Sequence, residues 1–246
     1  MFPLKDNIPS SRPPYINYLI IAANLLVFFW ELSLGADLQK VAGVLGFVPA
    51  RFFGLLAQGA AAWPAAVAPL FTSLFLHSGW LHIIGNLWFL YVFGDNVEDI
   101  LGHGRYLGFY LACGVGANFI YLMFAPLSTT PLIGASGAIA GVMGAYFALF
   151  PGARVLTLVL IIFIPIFLEL PAYIFLGYWF LLQFIYATFS RSAVDSGAAA
   201  GGVAWWAHVG GFLVGILLLY PLAPHRAKTL LKQRRQRKTP EGGDQS

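Results

Sequence analysis

Six mostly apolar runs govern what this chain can fold into, near residues 17–34, 74–93, 106–125, 136–150, 170–189 and 203–222. A helix crossing a bilayer needs about 20 such residues, and these runs approach or reach that length. Only 10% of the 246 residues are charged, against about 25% in a soluble domain. So few charges cannot cover the surface of a water-soluble protein this long, so lipid is the solvent for most of it. The single Cys113 excludes a disulfide scaffold, and the apolar content excludes disorder. The net charge of +4 is positional: Arg226, Lys228, Lys232, Arg234, Arg235, Arg237 and Lys238 form a basic tail. A charge block of this kind reads as a solvated end that fixes topology, and no nucleic-acid partner is expected.

Three domain-level segments follow: an N-terminus at 1–15, a six-helix membrane domain at 16–222 and the basic tail at 223–246. The fold class is an all-α membrane bundle with a long external first loop at 35–69, whose short apolar pieces suit interfacial amphipathic helices. Val155 to Ser190 is too short for two spans and a turn. Pro165 and Pro171 oppose a continuous helix there, and Val155–Phe163 is rich in β-branched residues. A single span beginning near Pro171 is predicted, after an extended or interfacial segment. With six spans both termini share a side. That side would carry eleven basic residues against three on the other, which puts it in the cytoplasm by the positive-inside rule. The first span is read as retained, not as a cleaved signal peptide.

Polar groups inside a membrane are costly and are functional candidates for that reason. Three clusters stand out: His77-Ser-Gly-Trp-Leu-His82-Ile-Ile-Gly-Asn86, Gly134-Ala-Ser136-Gly137, and Trp205-Trp206-Ala-His208-Val-Gly210-Gly211. His82 and Asn86, four apart, share a helix face. His77 and His82 lack the i, i+4 spacing and intervening acid of a zinc helix, so no metal is expected. The alternatives are ordinary ones: capping or interfacial histidines, and Ser136 as a helix N-cap.

Helix packing brings two clusters together. Gly137-xxx-Gly141, Ala140-xxx-Gly144 and Gly211-xxx-Gly215 are small-residue stripes that let helix backbones approach closely. If the fourth and sixth helices meet along them, Ser136 and His208 come level, provided one span separates these helices. His82 and Asn86 begin a helix entering from the same side. Glu31, Glu98 and Glu169 are expected elsewhere, leaving a hydroxyl beside an imidazole with no carboxylate, the minimal activated nucleophile.

These residues resemble the rhomboid family of intramembrane serine proteases: His77-x4-His82-x3-Asn86, Gly134-Ala-Ser136-Gly137 and Ala207-His208-x-Gly210-Gly211 with Gly215, in that order. Phe93-Gly-Asp-Asn-Val-Glu-Asp99, after the second span, also looks like bacterial members. The resemblance implies Ser136 as nucleophile, His208 as general base, and His82 and Asn86 as oxyanion donors with the Ser136 N–H. His77, Gly134 and Gly137 would support the site. Ala140 stands where some members carry a tyrosine packed on the catalytic histidine, and Ala50 precedes Arg51 where many have tryptophan. No cofactor is expected. The implied activity is a serine endopeptidase of the bacterial inner membrane, its site opening outward, cutting transmembrane segments of other proteins. A catalytically silent rhomboid-like binding or quality-control protein and a transporter are the alternatives.

Overall fold

Helices form where the apolar runs lie, and breaks fall at glycine, proline and β-branched stretches. The structure, a computed structural model, describes residues 1–195 and 204–223. In chain order these are strand β1 (Phe2–Asp6), helices α1 (Tyr15–Ser33), α2 (Leu38–Leu45), α3 (Pro49–Ala57), α4 (Trp63–Thr72), α5 (Trp80–Leu101), α6 (His103–Phe124) and α7 (Ser136–Leu149), strands β2 (Arg154–Ile161) and β3 (Ile164–Pro171), and helices α8 (Ala172–Asp195) and α9 (Trp205–Leu222). Residues 224–246 of the basic tail and residue 203 of the sixth run lie outside the described residues.

The all-α expectation needs correction. The protein is mostly helical, but β1, β2 and β3 make an antiparallel sheet in that order. The β-branched Val155–Ile161 segment pairs with Ile164–Pro171 in a hairpin, with Leu156 opposite Glu169 and Ile161 opposite Ile164. Its two turn residues, Ile162 and Phe163, have φ of 53° and 86°. Positive φ at both centres is the pattern of the type I′ two-residue hairpin turn. As expected, a helix follows at once from Ala172. The third strand comes from the N-terminus, where no alternating pattern marks it. Pairing to β2 and the stacking of Phe2 on Trp88, with centroids 5.5 Å apart, hold it along α5.

Four helices are long and apolar enough to cross a membrane among the described residues: α1, α6, Ala172–Phe189 of α8, and α9. A fifth span results if Ala60–Phe75 and Trp80–Leu101, bent by 82°, count as one. The fourth apolar run yields only the 14 residues of α7, about 21 Å at 1.5 Å per residue. Most of α7 is buried, its first turns included. A helix apolar on all sides and enclosed by others has little lipid contact, so its length need not match the bilayer. The loop at 35–69 folds into short helices, α2, α3 and the start of α4.

α7 is the packing centre. A Cβ on Gly211 would collide with the Gly137 carbonyl, and one on Gly215 with that of Gly141, so α7 and α9 meet backbone to backbone along the small-residue stripes. On another face Gly137 packs on Ala117 and Gly141 on Cys113 of α6.

The second run was expected to end near residue 93; α5 continues to Leu101. Its polar residues serve the N-terminal segment. Glu98, buried, accepts from the backbone N–H groups of Ile16 and Asn17, at 3.0 and 2.7 Å, a carboxylate placed at the positive end of α1. It also pairs with His103. Asp95 accepts from Ser10 and Asp99 from Ser11, and Asn96 donates to the Ile8 carbonyl. Asn17 donates to the Leu90 carbonyl and accepts from Tyr106.

Candidate active site

Ser136 opens α7, and its Oγ lies 2.8 Å from His208 Nε2, near the start of α9. Glycine-mediated contact of the two helices sets this distance. Ser136 is not an N-cap: Ala135 occupies that position, and no side-chain cap is present. The hydroxyl is therefore available to the imidazole. The first N–H groups of a helix have no intrahelical partner, so the Ser136 amide belongs to a set of donors at a positive helix end.

His82, Asn86 and Gly134 adjoin this pair. Gly134 has φ of +123°, and a Cβ there would lie 2.7 Å from His82 Nε2 and 3.7 Å from Asn86 Nδ2. Both side chains thus lean on the backbone two residues before Ser136, and glycine is needed for the conformation and the space. The Gly134 N–H donates to the Ser73 carbonyl at 2.9 Å, which fixes the turn against the residues preceding α5.

Hydrogen-bond logic assigns the tautomers. The backbone N–H of Ser78 donates to His82 Nδ1 at 3.4 Å, with the Ser78 hydroxyl 3.1 Å away. A nitrogen that accepts from an amide carries no proton, so the neutral ring bears its hydrogen on Nε2, the atom against Gly134. His77 is arranged the other way. Asn86 Nδ2 donates to His77 Nε2 at 3.0 Å, and His77 Nδ1 donates to the Phe75 carbonyl at 3.2 Å. His77 thus orients the Asn86 amide.

Two features differ from the sequence reading. Glu31, expected away from this level, is buried and accepts from the His77 backbone N–H at 3.0 and 3.2 Å. α1 ends at the same level as the cluster, so its carboxylate anchors the turn before α5. The second is Gln183, missed entirely, whose Oε1 is 2.7 Å from His208 Nδ1. The available signal was its isolation: between Glu169 and Arg191 it is the only amide or charged side chain. The His208 ring also lies near Trp179 and Trp205, with centroids 6.0 and 5.9 Å away. Ala140 is fully buried and stands within 3.3 Å of a Cβ placed on Gly211, so α7 has no room there for an aromatic ring.

Comparison with known proteins agrees with the geometry. A family model described as the Rhomboid domain matches residues 64–225. The chain is 35% identical over 133 residues to rhomboid protease GluP of Bacillus subtilis (strain 168), covering 54% of this chain and 24% of that protein. It is 32% identical over 151 residues to the mitochondrial presenilin-associated rhomboid-like protein of Homo sapiens, covering 60% and 35%. Over 71 residues it is 44% identical to the chloroplastic rhomboid-like protein 11 of Arabidopsis thaliana, covering 28% and 25%. Each match takes in well under half of the relative's own length. The domain match extends over more than half of this chain, which therefore belongs to the rhomboid family, a family that includes serine proteases and inactive relatives. With its apolar helices it is an integral membrane protein.

Proposed function

We propose that the protein is an intramembrane serine endopeptidase that cuts within or near transmembrane segments of other membrane proteins, using Ser136 and His208. The observation that carries this reading is the 2.8 Å approach of Ser136 Oγ to His208 Nε2 at one end of α7, beside a histidine whose Nε2–H faces the adjoining turn.

In the first step His208 Nε2 takes the hydroxyl proton as Ser136 Oγ attacks the peptide carbonyl carbon. The carbonyl oxygen becomes an oxyanion, stabilised by His82 Nε2–H, the Asn86 amide and the Ser136 backbone N–H. Collapse expels the amine, which takes the proton from His208. Water, deprotonated by the same imidazole, then hydrolyses the acyl-enzyme. A substrate helix must unwind locally, because an intact helix engages its carbonyls in i to i−4 bonds. Segments containing glycine or small polar residues unwind more readily.

The accompanying topology has six membrane crossings, with the short α7 as the enclosed fourth, both termini cytoplasmic and the site opening to the external face of a bacterial inner membrane. The asymmetry of basic residues supports it.

Reconstitution with a tagged single-span substrate is the test. Cleavage by the wild type and none by Ser136→Ala or His208→Ala is expected. Equal product from all three would overturn the reading, and product no higher than a protein-free control would favour a silent rhomboid-like protein.

A further inference from the structure

We infer that Gln183 is a positioning residue that selects the working tautomer of His208, so that α8 completes the catalytic pair from outside the two helices that carry it. The inference rests on the protease reading above. Its starting point is chemical. A neutral imidazole has two tautomers, and only the form with hydrogen on Nδ1 offers an Nε2 lone pair to a serine hydroxyl. In an apolar bundle the Nδ1–H needs an acceptor, since a buried donor without one is strongly disfavoured. Gln183 Oε1 stands 2.7 Å from Nδ1, and the residue is only 6% exposed. No other amide or charged side chain lies between Glu169 and Arg191, so this amide interrupts a mostly apolar and aromatic stretch of α8 where the helix meets the histidine.

The ring plane is constrained from the same side. Trp179 is one turn before Gln183 on α8 and shares its face; its ring is tilted 34° to the imidazole, while Trp205 meets the imidazole edge-on at 87°. On α7 the residue one turn after Ser136 is Ala140, packed near Gly211, and among the ring contacts of His208 the described residues give Trp179 and Trp205. Orientation that could have come from α7 comes from α8. An amide also differs from a carboxylate in this position: it fixes the tautomer without a negative charge to favour the imidazolium, so the base is held neutral before reaction.

The experiment uses the full-length protein in proteoliposomes with a tagged single-span substrate, comparing wild type, Gln183→Met and Gln183→Glu. Methionine keeps the length and removes the acceptor. Its expected effect is a fall in kcat of roughly three- to tenfold, the scale of one lost hydrogen bond, with KM within about twofold. Glutamate restores the acceptor and adds charge. It should recover most of kcat and move the acid limb of the kcat/KM profile upward by about one pH unit. A readout independent of turnover is the nitrogen-15 NMR spectrum of His208 in the Ser136→Ala background, which should show Nδ1–H, and a mixture of tautomers once Gln183→Met is added. Wild-type kcat and pH profiles in both variants, or an unchanged tautomer, would overturn the inference while Ser136→Ala remains inactive. Full cleavage by Ser136→Ala and His208→Ala would instead overturn the protease reading beneath it.

Discussion

The two ends of α7 are built from different chemistry. At the Ser136 end the polar groups near the serine are uncharged side chains: His208, Gln183, His82, Asn86 and His77. At the opposite end Tyr146 donates to Asp6, near Asp95, and the neighbouring Asp99 and Glu98 hold the N-terminal segment and the first turn of α1. Carboxylates at that end accept from backbone N–H groups and short hydroxyl side chains and close the bundle. On the proposed reading, the neutral groups at the other end leave hydrogen-bonding capacity for a reacting carbonyl. Among the described side chains, the Glu31 carboxylate also stands at the Ser136 level, where it accepts from the His77 backbone N–H. Between the two ends the glycine contacts of α7 with α9 keep the helices in register, so the carboxylate anchors and the proposed catalytic groups occupy separate ends of one helix.

Substitutions at the two ends should therefore separate activity from stability. The largest effect is expected for Ser136→Ala and His208→Ala: cleavage falls on the order of 10⁴-fold or more, while thermal unfolding in detergent stays close to wild type. Unfolding shifted as strongly as activity would break the comparison. Next, His82→Ala and Asn86→Ala should each lower kcat about 10²–10³-fold, more than any change at the Asp95 end. The reverse pattern is expected of Glu98→Gln. It weakens the hold on the N–H groups of Ile16 and Asn17 and should cost about 1–3 kcal/mol of stability, measured by denaturant titration, with kcat for the folded fraction unchanged.

The smallest effect concerns pH. Burial pushes the Asp6 carboxyl up to about 6; the hydrogen bond from Tyr146 opposes this, and Asp95 adds to it. The folded protein holds that proton more tightly than the unfolded chain does. Stability from this group is therefore full below the usual carboxylate range and is lost as pH rises through about 6. Melting curves taken between pH 4 and pH 7 should show a steeper decline for wild type than for Asp6→Asn. Parallel curves would show that the N-terminal strand does not couple to titration.

Much of this was legible along the chain. Apolar runs placed the long helices, because a span needs length and hydrophobicity, both local properties. Pro165, Pro171 and the β-branched run before them placed the break ahead of α8. Small-residue stripes suggested which helices meet, and the meeting of Ser136 with His208 followed from level and spacing. The N-terminal strand was not legible: Phe2–Asp6 has no alternating pattern and becomes a strand only because β2 presents an edge. The extension of α5 through Asp95–Asp99 was hidden for a related reason. Acidic residues look like the end of a span until Ser10, Ser11 and the first turn of α1 are brought beside them. Gln183 could have been noticed as a lone amide, but nothing along the chain says which residue it faces.

Reading along the chain was enough to establish that lipid is the solvent, that a serine, three histidines and an asparagine occupy costly positions, and that small residues let particular helices touch. These follow from composition and period. Which nitrogen each histidine offers emerged with folding, because a tautomer depends on how its hydrogen-bond partners are placed in space: Gln183, 25 residues away, for His208, Asn86 and Phe75 for His77, and the Ser78 turn for His82. Folding also decided where the charges go, since a buried carboxylate is tolerated only where the fold supplies it with donors.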